Sequence, residues 1–348
     1  AVFLFPSFSF SEKEKEVIGD DAVIKSLSVK LTKNPPHERT LPMTTSQYLK
    51  NLNPPCRKVD AVIDTDAFNE IDDQFAISYM LKSPDRINVK AILAAPFFND
   101  NSVSPADGME KSYNEILKLL DLAGMPDMKK SVFKGSDRYL PDENTPVNSA
   151  AAEHLVSLSG NYTADNPLYI VAIGAITNVA SAFLLCPEMK ERTVVVWLGG
   201  HALHIGDTRE FNMKQDIAAA RIVMGCGVPF VQLPCVGVVD AFTTTRYELE
   251  HWLAGKNPLS DYLAKNTIAA SDCYTPERPW SRVIWDVTAA AWLLNDNERF
   301  MQSHLIPSPI PEYDGKYASD PSRHFIRCVC RIHRDALMTD LFSKLTQN

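Results

Sequence analysis

From Val59 onward, short β-rich apolar runs alternate with segments of helical periodicity, and this restricts the chain to architectures built from βαβ units. Val59–Ile63, Val89–Ala94, Leu168–Ile173, Thr193–Leu198 and Phe230–Leu233 read as strands. Helices are expected at Asp72–Leu81, Met109–Ala123, Thr177–Leu185, Ile217–Met224, Tyr247–Leu253, Asp286–Leu294 and Asp335–Leu345. The fold class that follows is α/β, an open and mostly parallel central sheet flanked by helices, with Rossmann-like topology. Residues 1–57 break the pattern. They carry Pro35-Pro36, Pro42, Pro54-Pro55 and a charged run at Glu12–Glu16, with no sustained period. They are expected to form an irregular N-terminal extension, packed loosely on or wrapped around a domain of residues 58–348.

Charge and composition exclude several functions. The 35 Lys and Arg against 43 Asp and Glu give a formal net charge of −8, with no basic patch, so a nucleic-acid partner is not expected. No apolar stretch reaches the length that spans a bilayer, so no membrane partner is expected either. The seven cysteines include no C-x-x-C; Cys328 and Cys330 form only C-x-C. They read mostly as reduced, buried, small apolar residues, which favours a cytoplasmic location. Ala1–Phe10 is apolar and aromatic; if it is the remnant of a leader, secretion is expected instead.

The segment with most chemistry follows the first strand directly. In Ile63-Asp64-Thr65-Asp66-Ala67-Phe68-Asn69-Glu70-Ile71-Asp72-Asp73, five of eleven residues are acidic. Like charges this close repel, and burying them is costly without a compensating cation. A hard divalent ion, calcium before magnesium, resolves the conflict. The plainer reading is a solvated loop with Asp72 and Asp73 at a helix N-terminus. An EF-hand does not fit, because the loop lacks Gly at its sixth position and Glu at its twelfth. An Asp-x-Asp phosphatase of the haloacid dehalogenase type would want Thr or Val where Phe68 stands.

Asp64-Thr65-Asp66 and Asp72-Asp73 resemble the Asp-x-Asp…Asp-Asp hallmark of the inosine–uridine-preferring nucleoside hydrolases. Four further matches follow in order. They are Ala94–Asn99, Ile173-Gly174-Ala175-Ile176-Thr177-Asn178, Gly199-Gly200 with Glu210-Phe211-Asn212, and Trp285-Asp286. The resemblance runs from about Val59 to Leu294. It departs from the family at the Ala67–Ile71 turn, which is two residues longer, and at Trp285, which stands where many members carry a His.

The resemblance implies hydrolysis of the N-glycosidic bond of a ribonucleoside, giving ribose and a free base. It implies calcium held by Asp66, Asp73, Asp286 and the backbone carbonyl of Ile173, with Asp66 activating a calcium-bound water. It further implies that Asp72, Asn99, Glu210 and Asn212 contact the sugar, that Trp285 stacks on the base, and that the protein is a homodimer or homotetramer. Indole cannot transfer a proton as imidazolium does, so His201 and His204 become candidates for the acid that helps the base leave. Each residue also has a plainer role. Asn99 suits a turn, Glu210 a solvated loop, Asn212 and Asp286 helix caps, Trp285 the core, and the two histidines the surface. Two other activities fit less of the pattern: a binding protein of the same fold without turnover, and the Asp-x-Asp phosphatase.

Overall fold

The computed structural model describes residues 42–275 and 277–347. Its strands are β1 (Val59–Thr65), β2 (Ile87–Ala94), β3 (Val132–Lys134), β4 (Leu168–Ala172), β5 (Thr193–Leu198), β6 (Phe230–Leu233), β7 (Thr243–Thr245), β8 (Ser281–Val283), β9 (Met301–Pro307), β10 (Ile310–Pro311), β11 (Tyr317–Ala318) and β12 (Phe325–Ile332). Its α-helices are α1 (Thr45–Asn51), α2 (Asp73–Leu81), α3 (Pro105–Leu122), α4 (Ala150–Ser159), α5 (Thr177–Leu185), α6 (Phe211–Gln215), α7 (Ile217–Gly225), α8 (Arg246–Trp252), α9 (Pro258–Tyr274), α10 (Val287–Trp292) and α11 (Arg334–Leu345).

Eight strands form the main sheet, in the order β3-β2-β1-β4-β5-β6-β12-β9. Neighbours are parallel throughout except β9, which runs antiparallel to β12. Every residue of β4 and of β5 is buried, as expected of parallel strands covered on both faces. One core packs Ile63, Val171 and Val196 with Phe75 and Trp292. The other packs Val62, Ile170 and Val195 with Phe183 and Val223. Successive side chains of one strand thus enter opposite cores, the period-2 rule of the pleat.

The sheet is also an open α/β sheet with a topological switch. From β1 the chain builds outward through β2 to β3. It then returns to lay β4 on the other side of β1 and builds outward through β5 to β6. β1 and β4 are adjacent, with Asp64 opposite Ala172. Their connections leave in opposite directions, which opens a crevice at their carboxyl ends.

Several elements differ from expectation. α1 lies within the stretch read as irregular; Thr44 and Gln47 close a capping box there, and Tyr48 Oη donates to Phe325 O at 2.8 Å. The expectation for residues 1–41 lies outside the described residues. α3 begins at Pro105, four residues before the expected start, capped by Ser104. β3, α4, α6, α9, β9 and β12 were absent from the sequence reading, as were the small ribbons β7–β8 and β10–β11. Among the described residues no helix is long and apolar enough to cross a membrane. All seven cysteines are unpaired, but only Cys235 and Cys328 are buried, which corrects the expectation of mostly buried thiols.

Candidate active site

β1 delivers Asp64, Thr65 and Asp66 to the switch point, all fully buried. Asp64 is anchored by Asn178, whose Nδ2 donates to Asp64 Oδ1 at 2.8 Å and to Ala94 O at 3.3 Å. Asn178 Oδ1 in turn accepts from the backbone N–H and hydroxyl of Ser136, at 2.8 and 2.9 Å. Asp66 is different: both its carboxylate oxygens are buried and neither has a hydrogen-bond partner. Gly174 makes room for it. A Cβ on Gly174 would stand 3.0 Å from Asp66 Cγ and Oδ1.

Two helices bring the remaining carboxylates. Asp72 is the N-cap residue of α2 and Asp286 that of α10, yet neither side chain caps its helix. Both carboxylates turn instead to the cluster, so the reading of Asp286 as a plain cap fails. Asp73 accepts from the Thr65 hydroxyl. Asp72, Asp73 and Asp286 each offer an oxygen within 4.8 Å of the other two. This compact set contains Asp72, expected at the sugar, in place of Asp66. The difference arises because Asp72 and Asp73 are consecutive at the mouth of α2 and both reach Asp286. Asp66 lies close enough to Asp73 for the two charges to act on each other.

Burial dominates the electrostatics. It pushes Asp64 up to about 7, against the Asn178 hydrogen bond. It pushes Asp72 up to about 8, reinforced by the charges of Glu70 and Asp73 and opposed by Arg282. Asp73 rises to about 6, burial outweighing its hydrogen bond from Thr65. Asp66 and Asp286 stand well above the ordinary range, first from burial and then from surrounding acids. Such a cluster holds protons or a cation. The donors are all oxygen, and Asp66 has two without partners, so the residues fit a hard divalent ion.

Beside the cluster lies a cavity of about 210 Å³. Asp72, Ile173, Glu210, Asn212, Trp285 and Asp286 line it, with Asn69, Glu70, His201, Phe211 and Cys235. Glu210 is buried and caps α6. Its carboxylate accepts from Asn212 N–H (2.8 Å), Met213 N–H (2.9 Å) and Gly200 N–H (2.9 Å). It is therefore not a solvated loop acid. Asn212 lies inside α6, and the next helix, α7, is capped by Asp216, whose side chain accepts from Ala219 N–H at 2.9 Å. Asn212 Nδ2 donates to Ile173 O at 3.1 Å and to Leu198 O at 3.0 Å. Trp285 is half-buried: it packs against the core and also lines the cavity wall.

Asn99 does not reach the cavity lining. Its Nδ2 donates to Asn69 Oδ1, and its Oδ1 accepts from Asn101 N–H at 2.8 Å, the local turn bond common for Asn. Asn69 takes the place on the wall, carried there by the longer Ala67–Ile71 turn. Asn69 N–H donates to Asp66 O at 2.7 Å, and Gln74 Nε2 donates to Ala67 O at 2.7 Å, which ties the turn down. Glu70, on the same turn, pairs with Arg282. Sequence reasoning singled out neither Asn69 nor Arg282; the extra length of the turn was the one signal for Asn69. His204 is exposed and away from the cavity.

The family model for inosine-uridine preferring nucleoside hydrolases matches residues 61–333. The chain is 26% identical over 258 residues to the pyrimidine-specific ribonucleoside hydrolase RihA of Salmonella enteritidis, covering 67% of this chain and 78% of that protein. It is 26% identical over 224 residues to the probable uridine nucleosidase 2 of Arabidopsis thaliana, covering 59% and 67% respectively. Its fold matches that of the purine-preferring ribonucleoside hydrolase from Gardnerella vaginalis, with a TM-score of 0.66 at 20% identity, covering 82% of this chain and 98% of that one.

Proposed function

This chain belongs to the inosine–uridine-preferring nucleoside hydrolase family, and from that premise we propose that it hydrolyses the N-glycosidic bond of a ribonucleoside with Asp66 as general base. It is an N-glycosyl hydrolase of the metal-dependent kind, and calcium is the ion we assign to it. The observation that carries the reading is Asp66 itself, a fully buried carboxylate with two partnerless oxygens at the switch point of the sheet. No structural role explains an acid left in that state.

Asp66, Asp72, Asp73 and Asp286, with the Ile173 carbonyl, would hold the ion. When bound, calcium supplies positive charge to the cluster and anchors hydroxyl groups of the ribose. The chain's own residues do the rest. Asp66 takes a proton from the attacking water as C1′ acquires oxocarbenium character. Asp72 accepts a hydrogen bond from a ribose hydroxyl. Both Nδ2 hydrogens of Asn212 are already committed to backbone carbonyls, so toward the sugar it serves as an acceptor through Oδ1. Glu210 keeps Asn212 in place through its cap. Asn99 acts on the sugar through Asn69, which it holds against the wall. Trp285 provides a face on which the base stacks.

The substrate partner is thus a small-molecule nucleoside. A homodimer or homotetramer and a cytoplasmic location complete the proposal; the unpaired cysteines support a reducing compartment. The phosphatase reading falls with the family membership. The binding-protein reading retains one observation, Trp285 in the place of an acid.

Free-ribose release from a panel of purine and pyrimidine nucleosides, with and without a chelator, tests the proposal. Release that is lost with chelator and in Asp66→Asn is expected. A folded, calcium-loaded protein that binds nucleosides and releases no base from any would leave the binding-protein reading standing.

A further inference from the structure

The cavity wall carries one imidazole, that of His201. Its place in the fold is rigid. Just beyond the ends of β5 and β6, two chain segments pair. Cys235 N–H donates to Gly200 O at 2.8 Å, and Ala202 N–H donates to Val236 O at 3.0 Å. Gly200, with φ +73°, turns the chain into this pairing; a Cβ there would sit 2.1 Å from Tyr317 Oη.

One hydrogen bond orients the ring. Val236 N–H donates to His201 Nδ1 at 3.3 Å. A ring nitrogen that accepts a hydrogen bond carries no proton, so the neutral ring bears its proton on Nε2. Burial holds this imidazole toward the neutral form, with Asp207 and Asp240 opposing. The result is an N–H donor of defined tautomer, supported by backbone on both sides, on the wall that also carries Trp285.

Resting on the function proposed above, we propose that His201 Nε2–H is the hydrogen-bond donor to the departing base, in place of the acid that Trp285 cannot supply. The ligand class is a heterocycle with an acceptor near the glycosidic nitrogen, such as pyrimidine O2 or purine N3. In the step, the electron pair of the C1′–N bond passes to the base. The hydroxyl part of the water joins C1′, and the other water proton goes to the Asp66 carboxylate. The base leaves as an anion held by Nε2–H. It gains a proton from solvent on release, while Asp66 returns its own to solvent. A neutral imidazole suffices, because it stabilises the developing charge without giving up its proton.

The test compares leaving groups on the calcium-loaded full chain. Uridine and inosine need help at the base; 4-nitrophenyl β-D-ribofuranoside leaves as a stable phenolate and does not. His201→Ala is expected to lower kcat on the nucleosides on the order of 10²–10³-fold and on the nitrophenyl riboside by less than about threefold. His201→Asn, whose amide both accepts from Val236 N–H and donates, is expected to recover about tenfold over the Ala variant on nucleosides. Equal losses on both substrate types would show a structural role and overturn the proposal, as would unchanged turnover of nucleosides. A wild-type protein that cleaves nucleosides while either of those results holds leaves the proposed function intact. A wild-type protein inert on every substrate overturns both.

Discussion

The side-chain amide of Asn212 joins the carboxyl ends of two strands: it donates to Ile173 O, just past β4, and to Leu198 O, the last residue of β5. One side chain thereby sets the direction of the carbonyl assigned to the ion and closes a buried gap between strand ends. Asn212→Leu keeps the volume and removes both donors. Two buried carbonyls would lose their partners, which costs about 2 kcal/mol and lowers Tm by about 5 °C. Differential scanning calorimetry reads the shift. Ribose release should fall further than stability alone explains, and a variant as active and as stable as wild type would remove Asn212 from the site.

Thr65 stands behind Asp73. Its hydroxyl orients the Asp73 carboxylate and meets no substrate in the proposed arrangement. Thr65→Val should therefore weaken calcium binding about 10- to 100-fold, while Asp73→Ala should abolish it. Isothermal titration measures both. Calcium affinity unchanged in Asp73→Ala would remove Asp73 from the set of ligands, and affinity unchanged in Thr65→Val would remove the orienting role of Thr65.

The buried acids predict an unusual dependence of stability on pH. Asp73, Asp64 and Asp72 stand at about 6, 7 and 8 in the folded protein, above the ordinary carboxylate value that each regains on unfolding. A carboxyl raised on folding favours the fold in its protonated form. Its contribution is complete below about pH 4 and is lost as pH rises through the folded values. In chelator, Tm should then fall between pH 5.5 and 8.5, by about 5 °C or more. Saturating calcium should flatten or reverse the fall, because the ion replaces the protons. A chelated protein that gains stability across that window would contradict the argument.

Asn178 is the scaffold counterpart of Asn212. It bonds Asp64, the Ala94 carbonyl and Ser136 in a fully buried position. Asn178→Leu leaves Asp64 without a donor and should cost about 3 kcal/mol. Asp64 should then titrate higher still. Denaturant unfolding followed by tryptophan fluorescence measures the cost, and a loss below about 0.5 kcal/mol would show that the network contributes little.

The sequence made the sheet legible where burial is uniform. β4, β5 and β6 are near-continuous apolar runs, and they were placed within a residue of their observed ends. It was less legible where polar residues interrupt the pattern. β12 carries Arg327 and Arg331 and shifts register between Val329 and Arg331, which breaks its period of two. α9 is weakly amphipathic, with Ser, Asp, Lys and Asn along its length, so its 17 residues gave little signal. At the site, the acids from Asp64 to Asp73 were legible because their density after a strand is hard to explain otherwise, whereas Asp286 and Glu210 rested on the family resemblance. Asn69 and the His201 tautomer were not legible. One depends on the path of a longer turn, the other on a backbone N–H from a neighbouring loop.

Asp72 and Asp286 occupy N-cap positions without capping, so α2 and α10 begin without the side-chain acceptor that most helices use. The N-terminal ends of these helices lie at the carboxylate cluster. Their order is therefore linked to whatever ion the cluster holds. Amide hydrogens in the first turns of these two helices become an internal gauge of occupancy, exchanging fast when the cluster is empty and slowly when it is filled.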